Sequence, residues 1–384
     1  MVTNRTMVLA TLALSGFVTS FGAHVVATNL PTYAETVGAG AFTIGLLIAV
    51  YDFAELFAKP AAGVVADRRG MKPVLLLGLI VFIAGSLLFL IVNPKLLLVV
   101  RFIQGLGAAA LSTVSISLVA RYFETGRGRA FGVYNAIKGG GYVTAPAVGG
   151  FLASRYGFAM IFVASASLGL VALIASLFLP NDPGGRLDDD DEPSLRASLL
   201  IFRDPRLMPI YAVIVINMFL VGILFGFLPV YVHGLGYSAI QSGTVVSLAT
   251  AAYLLIQPVA GALADRYAMR ATVLLGLLIA ALSIMAITFA SGWSLIAVVI
   301  AAGMGIGTVW TNSDALVSAS ASPSQLGASI GAGQSFKEFG DMVGPLLVGG
   351  LTQFFGVRIG FVTCGAVAVV LVVVLARSPA FSPP

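Results

Sequence analysis

Residues 74–92 read VLLLGLIVFIAGSLLFLIV, a run with no charged side chain. A helix needs about 20 apolar residues to cross the ~30 Å hydrocarbon core of a bilayer, and this run comes within a residue of that. Strands of a membrane barrel alternate apolar and polar positions over about ten residues, which this run does not do. In lipid every backbone N–H and C=O has to be satisfied within the structure, so a continuous run of this length reads as a membrane helix. The composition extends that reading to the whole chain. Of 384 residues, 59% are hydrophobic and 10% are charged, and the mean hydropathy is +1.02. Soluble domains carry about 25% charged residues, so a water-soluble fold of this size would have too little polar surface to face water.

Comparable runs fall at 7–29, 42–65, 73–92, 96–120, 129–153 and 157–179, and again at 207–232, 239–263, 271–290, 295–318, 326–352 and 357–377. The first is longer than the core of a signal peptide, is preceded by Arg5 alone among basic residues, and is followed at once by further spans. It is therefore expected to be retained as a first helix. The expected fold is an all-α membrane protein with twelve transmembrane helices. The chain should divide into an N-terminal six-helix bundle (1–180), a cytoplasmic linker (181–206) and a C-terminal six-helix bundle (207–384). The linker holds the acidic run Asp188 to Glu192, which reads as a solvated, self-repelling spacer.

An even number of spans puts both termini on one side. One set of loops, with the termini, carries Arg5, Arg68, Arg69, Lys72, Arg121, Arg127, Arg129, Arg186, Arg196, Arg203, Arg206, Arg266, Arg270 and Arg377, whereas the opposite loops carry only Lys95, Arg155 and Arg358. This asymmetry places both termini in the cytoplasm. It also explains the net charge of +5 as a property of topology, with no nucleic-acid partner needed. The single Cys364 excludes an intrachain disulfide, and two His with no Cys companions give no metal-site spacing. No P-loop and no sizeable extramembrane domain is present, so neither an enzyme nor a cofactor is expected.

The two halves repeat each other. Pro60, Gly63, Asp67 and Arg68 match Pro258, Gly261, Asp265 and Arg266 at an offset of 198. Pro31 and Tyr33 match Pro229 and Tyr231, and Gly105 and Gly107 match Gly303 and Gly305, at the same offset; Lys138 and Pro146 match Lys337 and Pro345 at 199. Six helices per half give both copies the same orientation, so the repeat is parallel, the arrangement in which a substrate lies between halves near the midplane.

The loop GVVADRRGMKP (63–73), its echo GALADRYAMR (261–270) and the segment RFIQGLGAAA (101–110) resemble signature motifs of the major facilitator superfamily. The subset they resemble contains the proton-driven drug efflux pumps. The fifth span, GGGYVTAPAVGG (139–150), resembles the antiporter motif of that subset but has Ala145 where the motif has glycine; the eleventh span carries the fuller version, GDMVGPLLVGG (340–350). The resemblance implies the major facilitator fold, a monomer in the cell membrane, and a motif loop (Gly63, Asp67, Arg68, Gly70, with Asp265 and Arg266) that latches the halves in the outward-open state. Read physically, Gly63 and Gly70 suit a tight loop and close backbone approach. Arg68, Arg69 and Lys72 suit the anionic inner leaflet. Gly105, Gly107, Gly149 and Gly150 read as packing positions.

Charges within the spans are the most informative residues, because each costs about 2.5–3.5 kcal/mol at mid-helix. They are Asp52, Glu55, Lys59, Arg101, Lys138, Asp314, Lys337, Glu338 and Asp341. Asp52, Glu55 and Lys59 form one helical stripe, and Lys337 and Asp341 are i,i+4 partners. The resemblance packs the second and eleventh helices across the interface between halves, which suggests that Asp52 or Glu55 meets Lys337. Their alternative reading is a static pair that fixes register. A carboxylate in a low-dielectric setting exchanges a proton nearer neutrality than one in water, so Asp52, Glu55, Glu338 and Asp341 are candidates for proton coupling. The resemblance links Arg101 to that proton transfer. His24, placed toward the outer end of its span, reads as a titratable group or a polar packing residue. Lys138 and Lys337 are candidate anion contacts. Tyr33, Tyr51, Tyr134, Tyr142, Phe225, Phe227 and Trp310 are candidate aromatic contacts or simple packing, with Tyr33 and Trp310 put forward for substrate. The expected activity is proton-coupled efflux of small organic or drug-like compounds. The alternatives are exchange or proton-coupled transport of organic anions and, of another class, a non-transporting receptor on the same scaffold.

Overall fold

The structure is a computed structural model that describes residues 5–91, 93–123, 127–180, 204–321 and 326–377. The side chains of residues 67, 94, 127–129, 326–328 and 331 fall outside that description. The acidic run Asp188 to Glu192, Arg186, Arg196 and Arg203 also lie outside the described residues.

Among the described residues the chain forms twelve α-helices. The first six are α1 (Arg5–Thr36), α2 (Ala41–Arg69), α3 (Met71–Leu88), α4 (Leu97–Tyr122), α5 (Arg127–Tyr156) and α6 (Ala159–Leu177). The second six are α7 (Met208–Gly234), α8 (Ala239–Arg266), α9 (Met269–Ile287), α10 (Gly292–Ser320), α11 (Leu326–Phe355) and α12 (Val357–Ala376). Ten of them are long and apolar enough to cross a membrane by length and composition. The remaining two, α5 and α11, carry Lys138 and the trio Lys337, Glu338 and Asp341. The helices that differ most from their apolar runs are longer, because helical hydrogen bonding continues past the last apolar residue wherever the backbone permits.

Two consequences correct the expectations. The motif loop is almost entirely helix: Gly63 lies inside α2, and Asp67, Arg68 and Arg69 form its last turn. Only Gly70, with φ of 94°, makes the turn into α3, a conformation open to glycine without steric cost. The basic residues thus sit at a helix C-terminus, where cations are favoured by the helix dipole. Similarly, α1 continues through Pro31 to Thr36, so His24 sits nearer the middle of its helix than its outer end.

Clustering of the fold gives two compact units. The first comprises Met1–Gly38, Val50–Asp191 and Val232–Ser247; the second comprises Ala39–Ala49, Glu192–Tyr231 and Leu248–Pro384. In the first unit α1 packs on α4, α5 and α6, and α3 packs on α4 and α6. Its core is built from residues such as Leu12, Leu75, Phe82, Leu111 and Leu118. Tyr134 locks three helices there, its ring against Gly16 of α1 and its hydroxyl 2.8 Å from Ser115 of α4. In the second unit α9 packs on α10 and α12, and α11 on α12. Helix α7 is apolar on every face and correspondingly buried, with Tyr211, Leu220, Ile223, Phe227 and Val232 all withdrawn.

The sequence repeat reappears as contacts. All the helix-internal prolines of α1, α2, α5, α7, α8 and α11 pair off as Pro31 with Pro229, Pro60 with Pro258 and Pro146 with Pro345. Gly107 approaches the Phe82 backbone where α3 crosses α4, and Gly305 approaches the Ala280 backbone where α9 crosses α10. Gly105 lies against the Tyr51 carbonyl, and Gly303 against that of Ala249. Membrane helices lack a hydrophobic drive to associate and gain instead from close packing, which a Cβ at these positions would prevent. The short segments that each unit takes from the opposite half behave the same way. Gly243 of α8 abuts the Pro146 carbonyl within the first unit, and Gly45 of α2 abuts the Pro345 carbonyl within the second. The Ser154 hydroxyl accepts the Ile240 N–H at 3.2 Å, and Gln353 Oε1 accepts the Phe42 N–H at 3.5 Å.

Candidate functional site

Among the described residues, charged side chains gather within the helices of each unit. In the first unit they centre on Arg101, which is 1% exposed. Its Nη1 donates to Gln104 Oε1 at 2.6 Å, Gln104 Nε2 donates to Ser86 Oγ at 3.1 Å, and Ser86 lies 3.4 Å from Ser165 Oγ. This chain ties α4 to α3 and α6. The guanidinium lies 4.1 Å from the centroid of the Tyr51 ring, a cation–π contact strengthened by desolvation. Asp52 and Glu55 are each 7% exposed, and their negative charge acts on Arg101. Glu55 Oε2 also meets Lys59 Nζ at 2.7 Å, one turn along the same helix. In the helical stripe expected of Asp52, Glu55 and Lys59, the two carboxylates act on Arg101 of α4 and Lys59 pairs with Glu55.

His24 adjoins this group. Ser20 Oγ donates to the Lys138 carbonyl at 2.7 Å, and Gly141 packs on the α1 backbone beside it. That crossing sets the His24 ring 4.3 Å from the Tyr142 ring, edge to face. His24 Nδ1 lies 2.9 Å from the Ser20 carbonyl. Since a carbonyl only accepts, Nδ1 carries the proton there. Arg101 and Lys138 both act on His24 as positive charges.

In the second unit the constellation lies between α8, α10 and α11. Lys337 Nζ donates to both oxygens of Asp314 at 2.8 Å. The same ammonium lies 4.9 Å from the centroid of the Trp310 ring. Trp310 is met edge-on by Tyr253 of α8, with centroids 5.5 Å apart. Trp310 and Asp314 are four residues apart on α10 and so share a face. The Lys337 side chain is 6% exposed, whereas that of Asp314 is 45% exposed.

The sequence-derived candidates sort accordingly. Asp52 and Glu55 act electrostatically on Arg101 in the first unit, while Lys138 meets α1 through its backbone carbonyl, which accepts from Ser20 Oγ. Lys337 and Trp310 come together in the second. Glu338 and Asp341 are partly buried on α11, and the Asp341 carboxylate faces Gly222 of α7. Both hydrogen bonds described for Lys337 go to Asp314 of α10, a partner that helical spacing did not offer. Tyr33 packs with Phe158 and Phe162 at the α1–α6 contact. Arg68, Asp265 and Arg266 are exposed at helix ends, Gly63 is half-buried within α2 near Thr113, and the Asp67 side chain lies outside the described residues. Lys72 donates to the Leu177 and Leu179 carbonyls at 2.9 and 2.6 Å, satisfying the free end of α6. Gln104 and Tyr253 were not anticipated. Gln104 follows Arg101 by three residues on one helical face, a signal that was available; nothing local singles out Tyr253.

The family model described as Major Facilitator Superfamily matches residues 12–253 and 232–383. The quinolone resistance protein NorA of Staphylococcus aureus is 30% identical over 169 residues, 44% of this chain and 43% of that protein. The chain therefore matches less than half the length of that relative. The multidrug resistance protein MdtG of Citrobacter koseri is 26% identical over 367 residues, 92% of this chain and 90% of that one. Among solved structures, the nucleoside transporter NupG superposes with a TM-score of 0.83 at 15% identity, covering 98% of this chain and 100% of its own. A D-xylose-proton symporter superposes at 0.79 and 15% identity, with 98% of each chain covered.

Proposed function

The chain belongs to the Major Facilitator Superfamily, and from that premise we propose that it is a proton-coupled exporter of small organic, drug-like compounds. It is a multi-pass membrane transporter, not an enzyme. The observation that carries the coupling is the first-unit constellation: two carboxylates, each 7% exposed, that act electrostatically on an arginine that is 1% exposed. A guanidinium does not release its proton under physiological conditions, so it serves as a fixed charge. Asp52 and Glu55 can change protonation beside it, and each change alters the balance of charge on α2 and α4. Export of drug-like compounds is supported by the relatives whose names denote quinolone and multidrug resistance. Residence in the cell membrane with both termini cytoplasmic is supported by the distribution of basic loops.

One observation favours a second reading. The repeat puts lysines at matching positions of α5 and α11, Lys138 and Lys337, basic groups suited to an organic anion.

The test is pH change in everted or reconstituted vesicles as a panel of cationic, neutral and anionic compounds is added. Proton movement driven by lipophilic cations, and lost in Glu55→Gln or Asp52→Asn, is the expected result. Response to anions alone, lost in Lys138→Ala, replaces the leading reading with the second. Unchanged transport in both carboxylate variants, with the proteins folded, removes Asp52 and Glu55 from the coupling.

A further inference from the structure

We infer that Asp314, Trp310 and Tyr253 form a recognition site for an organic cation bearing aromatic rings, and that Lys337 is its built-in occupant when no ligand is present. The inference rests on the export reading and gives it a substrate class and a specificity-determining residue.

The Lys337 ammonium makes the contacts that a ligand cation would need. It has a carboxylate bonded through both oxygens at 2.8 Å and an indole face 4.9 Å away. A second aromatic ring, from Tyr253, stands at right angles to the indole. Aromatic rings beside a carboxylate are the chemistry by which proteins hold substituted ammonium ions. Two observations separate this cluster from a static pair that fixes helix register. The first is its asymmetry: the Asp314 side chain is 45% exposed while its partner is 6% exposed, so the carboxylate keeps accessible surface while it binds the lysine. The second is its departure from the repeat. Lys337 has a counterpart in Lys138, but Trp310, Asp314 and Tyr253 correspond to Ser112, Ile116 and Glu55. Packing of the repeated helices therefore does not require the cluster, which belongs to the second half alone.

A ligand cation reaches Asp314 from its exposed side and displaces the ammonium. Lys337 has another acceptor within helical reach, Asp341 at i+4 on α11, so displacement need not leave a buried charge without a partner. Because the lysine competes with ligand for the same carboxylate and ring, its charge sets a threshold of affinity. Weak or poorly aromatic cations are excluded by it.

The experiment measures equilibrium binding of tetraphenylphosphonium to purified protein in lipid nanodiscs with no ion gradient. The chain has two tryptophans. Trp293 is 85% exposed at the start of α10, and Trp293→Phe leaves Trp310 as the sole indole reporter. The expected result is a saturable change in Trp310 fluorescence and, in Lys337→Met, binding about tenfold tighter, equivalent to 1.4 kcal/mol. Lys337→Gln serves where Met is not tolerated. Lys337→Arg, which keeps the charge over the ring, should not tighten binding, and Asp314→Asn should weaken it at least about tenfold in either background. Binding that is unchanged or weaker in Lys337→Met and Lys337→Gln overturns the inference, as does phosphonium bound by dialysis without any Trp310 response, or not bound at all. These results are independent of the vesicle measurement. Proton-driven transport with a silent Trp310 refutes the site and leaves the export reading intact, whereas the predicted binding without proton movement does the reverse.

Discussion

Arg101 shows most directly what a single side chain is asked to do here. Removing a guanidinium from water costs several kcal/mol even after relaxation, and this one is 1% exposed. It is held by Gln104, by the Tyr51 ring and by the charges of Asp52 and Glu55. Taking the arginine away leaves two carboxylates in a low-dielectric region facing no guanidinium. Arg101→Ala is therefore expected to destabilise the first unit by about 3 kcal/mol, seen as a lower thermal midpoint in detergent. Unaltered stability would mean that the two carboxylates do not depend on that charge. Arg101→Lys should retain most stability but lose the planar bond to Gln104 and the stacked contact, so proton flux should fall more than the midpoint does. Residues of this kind were legible in the sequence, because a charge in an apolar run stands out whatever surrounds it. Their partners were legible only along one helix. The i,i+3 and i,i+4 rules offered Asp341 to Lys337, whereas Asp314 approaches from α10, 23 positions earlier, and no local spacing encodes that approach.

Helices α2 and α8 and their partners α11 and α5 show how an element is fitted to its neighbour. Gly45 abuts the Pro345 carbonyl, and Gly243 abuts that of Pro146; a side chain at either glycine would have to push the helices apart. Overpacking of this kind costs about 1–3 kcal/mol. Gly243→Val and Gly45→Val should each reduce the yield of monodisperse protein, and by similar amounts, because the two contacts repeat each other. Gly234→Ala is the control, since a Cβ there meets nothing within 4 Å. Should the valine variants match the control in yield and midpoint, these contacts would not be close enough to matter. Element positions were largely readable from hydropathy alone, and even the internal prolines did not mislead, because membrane helices tolerate them. The motif segment was harder. Its charges suggested a loop, yet a helix terminus accepts basic residues as readily as a loop does, and only Gly70 breaks the helix.

At the scale of the whole molecule the repeat organises the scaffold, and departures from the repeat mark the chemistry. Glycine and proline contacts recur at offsets of 198 and 199, while Arg101 corresponds to Val299 and Trp310 to Ser112. The scaffold was legible because packing in lipid has few solutions; the sites were not, because each half has spent its duplicated positions differently. Topology is open to a direct check in a Cys364→Ser background. Lys95→Cys should react with an impermeant thiol reagent added outside cells, and Arg121→Cys only after the membrane is opened. The reverse pattern would invert the proposed orientation. Proton-coupled export is tested in sodium-free proteoliposomes holding an internal pH indicator and an imposed proton gradient. The expected result is uphill movement of a lipophilic cation against the flow of protons, abolished by a protonophore and by Glu55→Gln. Cation movement that only ever runs downhill, with internal pH unchanged, would contradict it.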